Sequence, residues 1–95
     1  MNKKQFLLAP LVLLFSCATE LYQPINGTEK IALQDLKEGR AIYVNKCATC
    51  HPLRLPNQYN NKEWEVNLNK MQIKAKITNK EKRLVYQYLI NAPKK

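Results

Sequence analysis

Two cysteines three positions apart, followed at once by a histidine, constrain this 95-residue chain more than anything else in it: Cys47, Ala48, Thr49, Cys50 and His51. A zinc site would use these residue types but normally takes four protein ligands. His51 is the only histidine, and only three suitable ligands remain once Cys17 is assigned as below. A thioredoxin-like dithiol belongs in a βαβ setting, whereas this sequence reads helical. A disulfide across three residues would leave His51 unexplained. One chemistry uses all three groups. Cys47 and Cys50 would add across the two vinyl groups of a porphyrin as thioethers, and His51 would offer a ring nitrogen to the iron. This spacing is the attachment signature of a c-type haem. One covalent haem c is therefore the expected cofactor.

The first sixteen residues have a charged start at Lys3 and Lys4, an apolar run over 6–15, and the small residue Ser16. That pattern marks a secretory signal, and the run is short for a permanent membrane span. Leu14, Phe15, Ser16 and Cys17 resemble a bacterial lipobox, whose cysteine is diacylated and becomes the mature first residue. Two acyl chains give the stable anchoring that one does not. The alternative is an ordinary signal, with Cys17 lost or idle. Ala18, rather than an aspartate, follows Cys17 and resembles the pattern sorted to the outer membrane of Gram-negative cells. The expected location is the cell envelope, lipid-anchored on the periplasmic side.

Residues 17–32 include Pro24, Asn26 and Gly27, lack periodicity, and read as a lipid-anchored tether ahead of a domain over 33–95. A first helix is expected over 33–47, with Asp35 as a start signal. Gly39 and Tyr43 stand four apart on one face of it. A glycine there lowers helix stability and points to close approach by another helix. Residues 52–61, with Pro52, Pro56, Asn57, Asn60 and Asn61, read as loop. A second helix is expected over 62–74, with Trp64, Leu68 and Met71 along one stripe. A third, over 79–91, has Thr78 and Glu81 in a capping-box pattern and Leu84, Val85, Tyr88 and Leu89 as its apolar face. Pro93 ends it. The fold class is all-α. A mature chain of so few residues builds a marginal core, and a covalently held macrocycle would act as its staple.

The glycine and aromatic ahead of the cysteine pair, and Tyr88 and Leu89 near the end of the last helix, resemble a class I cytochrome c over roughly 35–91. That resemblance implies a small cytochrome c fold of about three helices round one haem, with the first and last helices crossing at the glycine and an aromatic. It also implies that a backbone carbonyl, from Pro52 or Pro56, holds the second ring nitrogen of His51. Such a bond orients a ligating imidazole.

No second histidine exists for the far side of the iron. Met71 is the only methionine after the signal, twenty residues beyond His51, and is the expected second axial ligand. His–Met ligation is the usual electron-transfer arrangement and raises the reduction potential. The competing readings are a core methionine on the Trp64 stripe, a five-coordinate iron, or a lysine nitrogen. In many class I cytochromes the methionine lies in a loop, whereas Met71 reads as helical.

The chain carries a formal charge of +9, and losing Lys3 and Lys4 leaves 9 − 2 = +7. From Pro52 onward, ten lysines and arginines face three glutamates. Such a surface favours redox partner proteins with acidic docking faces, although a merely solvated lysine-rich surface has the same composition. An exported protein does not meet nucleic acid. There is no Ser–His–Asp set and no Gly-rich phosphate loop. The expected function is therefore a membrane-anchored carrier of single electrons, not an enzyme. The alternatives are a haem subunit of a larger oxidoreductase or a five-coordinate, ligand-binding or peroxidase-like haem protein.

Overall fold

The structure, a computed structural model, describes residues 21–48 and 52–93. Three helices and no strand occur among these residues: α1 (Leu33–Ile42), α2 (Asn61–Ala75) and α3 (Asn79–Ile90). A wide π-helical turn, Tyr43–Cys47, prolongs α1, and a single 3₁₀ turn, Pro56–Gln58, precedes α2. The described chain is all-α, as expected. No helix among the described residues is long and apolar enough to cross a membrane.

Local chemistry explains the boundaries. Thr78 accepts from the Glu81 N–H at 3.0 Å while the Glu81 carboxylate accepts from the Thr78 N–H at 2.9 Å. This is the capping box anticipated for α3. Hydrogen bonding from the Thr78 backbone holds the Glu81 carboxyl below its usual range. A second capping box, missed in the sequence, starts α2: Asn60 Oδ1 accepts from the Glu63 N–H at 2.8 Å, and Glu63 Oε1 accepts from the Asn60 N–H at 2.9 Å. At the other end of α2, Lys76 turns into the left-handed region at φ 58°. The Gln72 amide bridges the corner to the Ile77 carbonyl (3.3 Å) and to Asn79 Oδ1 (2.8 Å). Asp35 does not start α1. Ala32 is its N-cap and makes no side-chain bond, while Asp35 lies in the first turn, where a carboxylate suits the helix dipole.

The expected first helix departs from regularity in its last turn. From Tyr43 to Cys47 the backbone widens to a π turn, and both of these residues end up 1% exposed. Wide turns of this kind are rare and often found at functional positions.

The core is built on the α1–α3 crossing. Gly39 is buried against α3, where a Cβ would overlap the Leu84 carbonyl and meet Tyr88 Cβ at 3.0 Å. The close approach read from Gly39 is thus present. Tyr43, Cys47, Trp64, Leu68, Val85, Tyr88 and Leu89 form one buried cluster. Its aromatic members pack edge-on or tilted, Tyr43 against Trp64 at 6.0 Å and Tyr43 against Tyr88 at 6.3 Å, separations at which ring pairs add to burial.

Residues 21–32 are not helical. They are nonetheless bound to the domain, with Leu21 and Tyr22 packed against the cluster and Pro24 buried.

Candidate functional site

Cys50, His51 and Cys17 lie outside the described residues. What flanks the cysteine–histidine stretch is well defined. The Tyr43 hydroxyl donates to the Arg54 carbonyl at 2.6 Å and accepts from the Arg54 N–H at 3.1 Å. Two hydrogen bonds therefore close the segment from Tyr43 to Arg54, and residues 47–51 lie inside that loop. Burial pushes the Tyr43 phenol well above its ordinary pKa, against the opposing effect of the Arg54 backbone bond. The hydroxyl is held neutral between its two bonds to Arg54.

Beside this loop is a cavity of about 320 Å³. Cys47 reaches it from the π turn, and Met71 reaches it from α2. Tyr43, Tyr59 and Trp64 supply aromatic wall; Arg54, Lys70 and Lys74 supply positive charge; Asn67 and Ala75 complete the lining, and none of these residues is acidic. Trp64 is held by its indole N–H, which donates to the Pro56 carbonyl at 2.8 Å in a buried bond. Tyr59 meets it edge-on at 5.0 Å. The Pro56 carbonyl therefore accepts from Trp64; the expected contact of His51 with it or with Pro52 falls outside the described residues.

Met71 is half-buried and lies inside α2, one turn before its end, and not in a loop. Its stripe partners Trp64 and Leu68 are each 1% exposed, so Met71 marks where the stripe leaves the core and enters the cavity. Asn67, Lys70, Met71 and Lys74 stand at i, i+3, i+4 and i+7 and form one face of α2. The 3.6-residue period of a helix is the signal that joins Met71 to the basic charge. It could not have shown that Arg54 and Tyr59, from the preceding loop, face the same space.

The lining includes one cysteine, one methionine and two lysines; among the described residues no group of three or more His, Cys, Asp or Glu could hold a metal ion. The walls are aromatic, and the charge around them is positive. Comparison of the chain with protein-family profiles, with curated protein sequences and with solved structures finds no match.

Proposed function

We propose that this chain is a monohaem electron carrier resembling class I cytochromes c, bound to a membrane in the cell envelope through a lipidated Cys17. The observation that carries this reading is the convergence of Cys47 and Met71, 24 positions apart, on one aromatic-walled cavity. Cys47 belongs to the attachment motif, and Met71 is the sole methionine after the signal. Cys47 and Cys50 would hold the haem covalently, with His51 and Met71 as axial ligands. The lining fits such a group: Trp64 and Tyr59 offer flat apolar contact, and Arg54, Lys70 and Lys74 offset carboxylates at a porphyrin's edge. A bound haem supplies one-electron redox chemistry at its iron, with a potential tuned by axial ligands and burial.

The protein's own residues do the rest. Tyr43 and Arg54 close the loop that carries the motif. Trp64 and Tyr59 would line one side of the bound group. The positive lining favours encounter with acidic redox partners, acting on association rate more than on affinity.

A second reading concerns the sixth ligand. Lys70 and Lys74 line the same cavity as Met71, so an amine could take its place, and an open site would suit ligand binding. Absorption spectra combined with a redox titration of the holoprotein separate these. With Met71 as ligand, the oxidised protein shows a methionine–iron charge-transfer band that Met71→Ala abolishes, and the midpoint potential falls. A band absent from the wild type, or a high-spin spectrum with rapid carbon monoxide binding, overturns Met71 ligation. A membrane-fraction protein without the added mass of one haem overturns the whole reading. Stoichiometric co-purification with an enzyme would mark the chain as a subunit of a larger oxidoreductase.

A further inference from the structure

The segment ahead of α1 shows a feature that the carrier function does not require. Tyr22 is fastened to the α1–α3 pair by three contacts. Its ring stacks on Tyr88 at 5.9 Å and 12°. Its carbonyl accepts from the Tyr88 hydroxyl at 2.5 Å and from Arg40 Nε at 3.0 Å. Beyond it the chain turns back on itself. The Thr28 hydroxyl accepts from the N–H groups of Lys30 and Ile31 at 3.1 and 2.9 Å, and the Thr28 N–H donates to the Ile31 carbonyl at 2.8 Å. At Gly27 a Cβ would crowd the Ile31 carbonyl at 2.7 Å. Residues 22–32 are therefore a folded strap on the domain.

We infer that the Tyr22 strap fixes where the membrane anchor leaves the domain, and so turns the α1–α3 face bearing Tyr22 toward the lipid surface. The inference rests on the proposed lipidation of Cys17. Chain length decides the outcome. Were 17–32 a free tether, the sixteen positions from Cys17 to Leu33 would reach about 55 Å. With Tyr22 clamped, only five positions remain, a reach of about 17 Å. That is shorter than a small domain is wide, so the domain lies against the headgroups in a restricted set of orientations. Its net positive charge supports that contact where the lipids are anionic.

Two arms test this, and they fail separately. In the full chain carrying Cys17→Ser, with haem attached, trypsin cleavage after the exposed Lys30 reports opening of the strap. Tyr22→Ala is expected to speed that cleavage about tenfold, while Tyr22→Phe, which keeps the stacked ring, cleaves like the parent. Equal rates for all three overturn the clamp. In the second arm, lipidated holoprotein sits on a supported bilayer of phosphatidylethanolamine and phosphatidylglycerol, and neutron reflectivity reads its height. The wild-type domain should lie within the short reach, and Tyr22→Ala should rise away from the bilayer. A wild-type domain standing as high as the variant overturns the fixed face. Mass spectrometry of the N-terminal peptide decides the anchor itself: absence of two acyl chains overturns the membrane part, whatever the protease arm shows.

Discussion

The two sides of this small domain are built differently. At the α1–α3 crossing, backbone meets backbone: Gly39 lies against the Leu84 carbonyl, and Val85, Tyr88 and Leu89 are wholly buried. On the α2 side, Met71 is only half-buried and a cavity of about 320 Å³ lies between α2 and the residues Cys47 and Arg54. The crossing is close-packed. The α2 side instead opens into a cavity lined by aromatic and basic side chains, which the haem would occupy under the proposed function. Tyr43 belongs to both. Its ring packs on Tyr88 and Trp64, and its hydroxyl closes the motif loop onto Arg54.

The sharpest way to break this comparison is Gly39→Ala. The added Cβ would run into the backbone of α3, which cannot move aside as a side chain could. We expect a loss of about 3 kcal/mol, the upper part of the usual overpacking range, measured by denaturant unfolding. Tolerance of alanine would show that the crossing is not the rigid half.

Raising pH attacks the junction between the halves. Burial favours the neutral phenols of Tyr43 and Tyr88; it pushes Tyr88 up to about 12 and Tyr43 higher still, from an ordinary 10.0. The unfolded chain therefore releases these protons first. Their contribution to stability is complete below about pH 10 and is lost as pH rises through the folded-state values. Unfolding midpoints should thus be flat to about pH 10 and fall above it, less steeply in Tyr88→Phe. A flat profile to pH 12 would show that the phenols ionise without cost.

The smallest expected effect comes from Asn60→Ala. It removes the cap that starts α2 and should cost about 1 kcal/mol. If α2 is held mainly by the proposed haem, this loss will be larger in protein without haem than with it. Equal losses in both forms would count against a haem seated on α2.

Much of this was legible from local pattern. The three helices lie within one or two residues of their expected bounds, leaving aside the π turn, because each carries apolar residues at helical spacing and a turn- or proline-rich stretch beside it. Thr78 and Glu81 form the box their spacing implies, and Gly39 makes the close approach its place in a helix implies. The Asn60–Glu63 box has an equally legible spacing, but Asn60 stands among asparagines that read as loop. The π turn was not legible, since a run such as Tyr43–Cys47 has no composition that sets it apart from ordinary helix. Nor was the strap: Pro24 and Gly27 suit a free tether as well as a folded one. What distinguishes the two is a stacking partner 66 positions away.

By itself, then, the sequence determined what is local: helix periodicity with caps divides the chain, and the spacing of Cys47, Cys50 and His51 is what the proposed haem attachment rests on. Those inferences need neighbours only a few residues apart, where bond geometry limits the choices. The tertiary structure decided what shares a space: Cys47 with Met71 across one cavity, Tyr43 with Arg54 at the base of the motif loop, and Tyr22 with Tyr88 and Arg40. These contacts depend on how three helices pack, and that packing is set by the summed burial of the whole core. No local pattern encodes it.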